Sequence, residues 1–167
     1  EQMDIEVSEA KALVKQYHDR VPFVKGLMNG VQNRLNDKSS AGSIRSILGR
    51  KCRFELWEPD TFAMNKALPY RDAVKEYGDT TRLKRAYTYK ALNRLIQASA
   101  ADMTKQAMVN IYRAGMLPMV QIHDEVAMSV KSIEEAQEVA RIMENAVPLE
   151  VPNKCDIEIG PSWGEAK

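Results

Sequence analysis

An apolar run with three polar residues at its centre decides the fold: Met119-Val120-Gln121-Ile122-His123-Asp124-Glu125-Val126-Ala127-Met128-Ser129-Val130. The β-branched and apolar residues on both sides predict two short buried strands, joined by a tight turn near His123-Asp124. Unpaired buried carboxylates are strongly unfavourable, so Asp124 and Glu125 need a cation, a donor network or a solvent-facing cleft. A divalent metal satisfies both most simply. A polar hairpin tip in water stays open as the alternative.

Composition limits the class of protein. The chain has 167 residues, of which 44% are hydrophobic, which is enough for a globular core. Its net charge of +1 excludes a strongly basic protein, so any nucleic-acid contact must come from local clusters of Lys and Arg. Cys52 and Cys155 lie far apart without metal-ligand spacing, which predicts reduced core residues and a reducing compartment.

The N-terminus and the distribution of apolar residues indicate whether the chain carries a membrane helix or a secretory signal. The sequence has no apolar span of about eighteen residues and no basic-then-apolar leader, so we expect neither a membrane helix nor a secretory signal. The chain begins at Glu1 instead of Met, so we expect that residues upstream have been lost.

Two helices are predicted at the start of the chain. Ser8 can cap a helix over residues 9–20, and Pro22 starts a second one that ends near Asn36. His18 has no Cys, Asp or Glu at ligand spacing, so a surface or packing role is favoured over a metal-ligand role.

A β-hairpin is predicted next, with strands over residues 43–48 and 51–57 around Gly49-Arg50. Basic residues crowd it. A solvated charged face and contact with phosphates both explain this crowding, and the sequence favours neither. The residues concerned are Arg45, Arg50, Lys51 and Arg53.

The following segment, residues 58–81, predicts a loop with one short helix over residues 71–77. From Arg82 a helical pattern runs to about Ala114, and its first half is basic. Asn93 and Gln97 are four residues apart and share one side of that helix, with Tyr89 one turn earlier. An exposed polar stripe is the alternative. The basic residues are Arg82, Lys84, Arg85, Lys90 and Arg94.

The last part of the chain predicts a helix, a hairpin, a helix and a strand. Gly115 ends the long helix, and Ser132 and Glu135 form a capping box for a helix that reaches about Asn145. Alternation over residues 154–159 predicts a final strand. The predicted class is therefore α+β, with an antiparallel sheet backed by helices.

Four motifs in a fixed order resemble the C-terminal part of family A DNA polymerases, the bacterial DNA polymerase I type and its bacteriophage members in particular. The resemblance covers nearly the whole chain. It implies that residues 1–81 are the end of the fingers, two helices with a β-hairpin, and that residues 82–167 are part of an antiparallel palm sheet. The motifs are Asn93-x-x-x-Gln97, Ala100-Ala101-Asp102, Gln121-Ile122-His123-Asp124-Glu125 and Trp163-Gly164-Glu165-Ala166-Lys167.

The resemblance gives the carboxylates a function. It implies that Asp124 is one of two aspartates that hold paired Mg²⁺ ions, with Glu125 as its acidic neighbour and His123 as a further catalytic residue. Two cations about 3.5–4 Å apart can activate a primer hydroxyl and stabilise charge on the transferring phosphoryl group. The implied reaction is template-directed 5′→3′ nucleotidyl transfer, and the implied localisation is the cytoplasm of a bacterium or of a phage's host.

The resemblance also implies primer–template DNA and dNTP as partners. Asn93 and Gln97 match positions that contact the minor groove, where purine N3 and pyrimidine O2 accept hydrogen bonds in every base pair. Gln121 is implied to lie near the primer terminus. Further implied DNA contacts are Tyr89, Lys90, Arg85, Arg50 and Lys51.

Departures from the family pattern limit the expected activity. Tyr89 stands where many members carry Arg, and Leu95 replaces a frequent Pro. Arg71-x-x-x-Lys75 before Tyr77-Gly78 mimics the nucleotide-binding helix, but its Tyr follows the Lys too soon. That helix and the first catalytic aspartate belong upstream of Glu1.

We therefore expect a truncated piece or the smaller member of a split enzyme, with weak Mg²⁺ binding and no synthesis by the isolated chain. The upstream polymerase portion, in the same or a separate polypeptide, is then a partner. One alternative is a non-catalytic subunit that binds the primer–template duplex. Another is an unrelated metal hydrolase built on His123-Asp124-Glu125, which lacks the further ligands that such a site needs.

Overall fold

The chain combines five α-helices with small antiparallel sheets among its described residues, which confirms the α+β class. A computed structural model describes residues 6–61, 63 and 65–166, so Lys167 of the last motif lies outside the described residues. The helices are α1 Val7–Arg20, α2 Pro22–Asn36, α3 Tyr70–Tyr77, α4 Ala91–Arg113 and α5 Ile133–Glu144. The strands are β1 Ser43–Arg45, β2 Lys51–Arg53, β3 Leu56–Pro59, β4 Leu68–Pro69, β5 Leu83–Arg85, β6 Val120–Ile122 and β7 Glu125–Ala127.

The chain divides into two compact units. The first consists of Glu1–Arg45 and Gly49–Leu95, and the second of Ser46–Leu48 and Ile96–Lys167, as far as these residues are described. In the first unit, Leu35, Ile44, Phe54 and Ala91 form a buried core. No helix in the described part of the chain is both long enough and apolar enough to cross a membrane.

Both predicted N-terminal helices are observed close to their expected bounds. Pro22 occupies the start of α2, where its missing N–H needs no partner. The prediction that Ser8 caps α1 is wrong, because the helix begins at Val7, two residues before the predicted start at Glu9, and Glu6 takes the N-cap position without a side-chain hydrogen bond. One cap residue was too weak a signal to fix the boundary.

The first hairpin is confirmed, but its strands are shorter than predicted. β1 and β2 pair with Ile44 opposite Cys52 and Arg45 opposite Lys51. Residues 56–57, predicted to extend the second strand, belong instead to β3 in a different sheet. Phe54 lies between β2 and β3. It is buried in the core, and its N–H donates to the Gly42 carbonyl at 2.9 Å.

The segment predicted as a loop, residues 58–81, contains β4 and the end of β3 from a three-stranded sheet of order β4-β3-β5, so the loop prediction is wrong at these strands, while its short helix is confirmed as α3. The predicted helix start at Arg82 is also wrong, since Trp57 pairs with Arg85 in the sheet. Tyr87 then adopts a left-handed φ of 60°, which interrupts the backbone before α4. Pairing between distant segments therefore overrides the local helical pattern.

The second unit carries α5 as predicted. Ser132 Oγ accepts a hydrogen bond from the Glu135 N–H at 3.3 Å, which confirms the cap. Gly115, at φ 86°, ends α4 as expected. The strand predicted over residues 154–159 is not observed. There the Cys155 N–H donates to Glu144 Oε1 at 3.1 Å, so alternation reflects an extended segment held by a side chain instead of a sheet.

The two cysteines are free thiols, but the predicted core position does not hold fully, since Cys52 only packs against the core of the first unit and Cys155 is not part of it. Cys52 and Cys155 are both half-buried, and burial raises the pKa of the Cys155 thiol. A thiol with a raised pKa is mostly protonated near neutral pH, so Cys155 is a poor nucleophile.

The hairpin of β6 and β7 forms where the sequence predicts it, with Ile122 opposite Glu125. The prediction that its strands are buried is wrong: the side chains of Val120 and Ile122 are 45% and 36% exposed. Residues two apart in a strand share a face, so one apolar face of this hairpin is uncovered within the described residues of the second unit. Apolar composition alone could not show whether a covering segment is present.

Candidate functional site

The turn between β6 and β7 places the polar residues at the tip of a hairpin. His123 has a left-handed φ of 55°, a conformation that His adopts more readily than most non-glycine residues. Gln121 Nε2 donates to the His123 carbonyl at 2.7 Å, so the Gln121 side chain holds the turn from the preceding strand. The strained backbone and this hydrogen bond together fix the direction in which the next two residues leave the turn.

The carboxylates of Asp124 and Glu125 differ in their surroundings, although both residues are exposed. Glu125 Oε1 accepts a hydrogen bond from Trp163 Nε1 at 3.2 Å. Asp124 makes neither a hydrogen bond nor an ion pair within the part of the chain that the structure describes. Asp124 thus offers two free oxygens at the hairpin tip, and Glu125 offers one oxygen beside a fixed one.

These oxygens suit a hard divalent cation but do not complete its shell. Mg²⁺ takes six oxygen ligands and is usually held by one or two carboxylates together with waters and substrate phosphates. Among residues 6–61, 63 and 65–166, no group of three or more His, Cys, Asp or Glu side chains converges. The pair of carboxylates therefore fits part of a magnesium site whose remaining ligands come from elsewhere.

The predicted amide contacts lie on α4. Asn93 and Gln97 are both exposed and four residues apart, so helical geometry gives their side chains one direction. Tyr89 lies before α4, in a 3-10 turn over Thr88–Lys90, so the prediction that it shares a helix face with Asn93 and Gln97 is wrong. The left-handed φ of Tyr87 interrupts the helical backbone, so a 3-10 turn stands where the sequence predicts the first turns of the long helix.

The basic residues of the first unit differ in how many contacts their charged groups make with the rest of the protein. Lys90 Nζ lies 5.3 Å from the ring centroid of Tyr87 and 5.5 Å from that of Tyr89, an exposed arrangement. The Arg85 guanidinium instead stacks 4.5 Å from the Trp57 ring centroid and donates to the Phe54 carbonyl at 2.9 Å. A structural role for Arg85 therefore competes with the predicted DNA contact.

Arg50 and Lys51 are exposed at the end of the first hairpin. Arg45 Nη1 donates to the Gly49 carbonyl at 2.7 Å and so closes the hairpin loop. The side chains of Arg50 and Lys51 are therefore exposed to solvent next to a short loop that the Arg45 hydrogen bond stabilises.

Sequence reasoning missed two contacts in the second unit. It gave Trp163 no partner, and the only signal in the sequence is that an indole N–H is a hydrogen-bond donor. It also gave Asp102 no role. The Ser46 hydroxyl donates to the Asp102 carboxylate, both residues are buried, and the Ile47 N–H donates to Ser99 Oγ at 3.1 Å. These bonds anchor residues 46–48 to α4.

The chain resembles known proteins along its whole length. The model for DNA polymerase family A matches residues 1–165. A DNA-directed DNA polymerase of Pseudomonas phage M6 is 39% identical over 158 residues, which is 95% of this chain and 20% of that protein. DNA polymerase I of Borreliella burgdorferi is 31% identical over 175 residues, 98% of this chain and 17% of that protein.

Among solved structures, the chain resembles the POL domain of Pol1 from M. smegmatis in complex with DNA primer-template and dNTP. The TM-score is 0.71 with 32% sequence identity, over 99% of this chain and 27% of the other. The chain spans about a fifth of the length of the curated relatives named above.

Proposed function

The chain belongs to DNA polymerase family A, and from this premise we propose that it is the C-terminal portion of a DNA-directed DNA polymerase. It would act on primer–template DNA and dNTP by template-directed 5′→3′ nucleotidyl transfer, with residues 1–81 as the end of the fingers and residues 82–167 as part of the palm. The observation that carries the proposal is the hairpin tip, where an exposed Asp124 without a partner adjoins a Glu125 that is held by Trp163.

Asp124 and Glu125 would hold Mg²⁺ at this tip, together with an aspartate from the upstream portion. When bound there, paired Mg²⁺ ions lower the pKa of the primer hydroxyl and stabilise charge on the transferring phosphoryl group. The chain's own contribution is positional: a short hairpin, braced by Gln121, fixes the direction of the Asp124 oxygens. His123, in the same turn, would lie near the primer terminus.

The DNA contacts divide by chemistry. Asn93 and Gln97, as exposed amides on α4, can donate to minor-groove acceptors that every base pair presents. Lys90, Arg50 and Lys51, as exposed cations, can pair with phosphates independently of sequence. Tyr89, which is exposed, and Arg85, which is braced on Trp57, complete the proposed contacts.

We also propose that the site is incomplete without an upstream polymerase portion. The apolar face formed by Val120 and Ile122 supports this, because exposed apolar residues in register on one strand are expected to be covered in the working protein. A further palm strand that brings the second aspartate would cover them.

A primer-extension assay tests the proposal. The isolated chain, incubated with primer–template, dNTP and Mg²⁺, should give no extension product. The chain joined to its upstream polymerase portion, or mixed with that portion as a separate polypeptide, should extend the primer. Extension by the isolated chain would contradict the proposed incompleteness, and failure of the completed enzyme would contradict the polymerase assignment.

Trp163 provides a second test, as a positioning residue for Glu125. Trp163→Phe keeps a ring but loses the N–H donor, and an exposed hydrogen bond contributes roughly 0.5–1.5 kcal/mol. In the completed enzyme, we expect kcat to fall about threefold to tenfold while the KM for dNTP changes less than about twofold. An unchanged kcat, or a loss in KM alone, would show that the Trp163 contact does not orient Glu125 for the reaction.

A further inference from the structure

The loop over residues 46–48 is attached to α4 by polar bonds. The Ile47 side chain is 45% exposed, so the burial of apolar surface fixes the loop only weakly. The Ser46 hydroxyl instead donates to the Asp102 carboxylate, and the Ile47 N–H donates to Ser99 Oγ at 3.1 Å. The position of the loop on the helix therefore depends on these hydrogen bonds.

Asp102 is an unusual residue for a buried position inside a helix. Its side chain is 6% exposed, and that of Ser46 is 5% exposed. An aspartate in a helix interior is less favourable than an alanine, and the burial of a carboxylate is unfavourable unless hydrogen bonds compensate it. The Ser46 hydroxyl supplies such a bond from the loop. A side chain that is unfavourable for α4 alone thus becomes favourable when the loop lies on the helix.

The two acceptors on α4 lie on the same face. Ser99 and Asp102 are three residues apart, and side chains at this spacing are neighbours on a helix surface. They hold two successive residues of the loop. Arg45 Nη1 donates to the Gly49 carbonyl at 2.7 Å and closes the loop at its base. A loop that is bonded at both places leaves few backbone conformations to the residues that follow it.

We propose that the polar bonds of loop 46–48 to α4 position two cations for their phosphate contacts, an inference that rests on the proposed polymerase function. The cations are Arg50 and Lys51, which are exposed and follow Leu48 by two and three residues. Ordering a side chain on a phosphate has an entropic cost, which rises if the backbone must be ordered as well. The bonds to α4 order this backbone before DNA binds. The positioning residues, which act through the loop, are Ser46, Ser99 and Asp102.

The salt dependence of primer–template affinity tests this proposal in the completed enzyme. Ser46→Ala changes no charge, yet it should weaken binding about tenfold. It should also reduce the salt slope, d log K/d log [salt], by about 0.9 to 1.8, the values for one and two phosphate contacts. Because Asp124 is unchanged, kcat at saturating primer–template should stay within about twofold, and the loss should appear in the KM for DNA. Ser46→Thr restores a hydroxyl and should recover the wild-type slope.

Two variants of α4 separate positioning from a loss of stability. Ser99→Ala removes the hydrogen bond to the exposed Ile47 N–H but favours the helix, so the melting temperature should not fall. Affinity should still drop about threefold, with a lower salt slope. Thr104→Val is the matched control, because it removes a buried hydroxyl that bonds within the helix, to the Ala100 carbonyl at 3.4 Å. It should leave both the affinity and the salt slope unchanged.

Lys51→Ala distinguishes this inference from the proposed phosphate contacts, because it should itself reduce the salt slope by about 0.9. If it does so while Ser46→Ala and Ser99→Ala keep the wild-type slope, the positioning inference is overturned and the phosphate contact stands. If Thr104→Val lowers the slope as well, the effect belongs to any change in α4, and the inference is overturned. If neither Lys51→Ala nor Arg50→Ala changes the slope, both proposals fail.

Discussion

Replacing Asp124 by Ala should lower synthesis by the completed enzyme about a thousandfold, equivalent to roughly 4 kcal/mol of transition-state stabilisation. Asp124 has two free oxygens at the hairpin tip, and no group of three or more His, Cys, Asp or Glu that could hold a metal ion occurs among the described residues. Since Trp163 engages one oxygen of Glu125, that neighbour cannot replace both Asp124 oxygens without losing its own contact. Single-turnover primer extension with saturating dNTP measures the effect.

The affinity of the Asp124→Ala variant for primer–template duplex is the control for its loss of synthesis. Asp124→Ala removes a negative charge, so affinity for primer–template should stay within about threefold of the wild type or rise slightly. Glu150→Ala, which removes an exposed carboxylate in the same unit, should leave both synthesis and binding unchanged. If synthesis survives Asp124→Ala while Asn93 and Gln97 remain necessary for binding, the chain is a duplex-binding subunit and not part of the catalytic site.

The hairpin at residues 120–127 illustrates what local pattern can predict. Apolar strands interrupted by His-Asp-Glu predicted the strand positions and the turn, because strand pairing across a two-residue turn is a local property. The exposure of Val120 was not predictable in this way. Burial depends on which distant segment covers a face, and a local pattern does not contain that segment.

The start of α4 and the contact of Trp163 show the same limit. Residues 82–90 have helical composition, but pairing of β5 with β3 and the left-handed Tyr87 place the helix start at Ala91. Trp163 and Glu125 are 38 residues apart, and their hydrogen bond depends on the fold of the whole unit. Motif order therefore predicts Asp124 and Glu125 as site residues, whereas the hydrogen bond from Trp163 to Glu125 becomes visible only in the structure.

The second large effect is expected for the paired amides of α4. Asn93→Ala and Gln97→Ala should each weaken primer–template affinity up to about tenfold, and the double variant about a hundredfold, since each loses a hydrogen bond worth roughly 0.5–1.5 kcal/mol. Both side chains are exposed on one side of the helix, so neither change leaves a buried group without a partner. Anisotropy with duplexes of several sequences should give the same loss for each, because minor-groove acceptors occur in every base pair.

Salt dependence distinguishes these amides from phosphate contacts. Asn93 and Gln97 are uncharged, so their substitution should leave the salt slope unchanged, whereas Lys90→Ala should reduce it by about 0.9. Gln16→Ala, an exposed amide on α1, serves as the matched control and should bind normally. A changed slope for Gln97→Ala, or a loss confined to one duplex sequence, would contradict minor-groove contact by these residues. An unchanged slope with equal loss across sequences would mean that the helix senses the shape of the base pair, which is the property a template-directed enzyme needs.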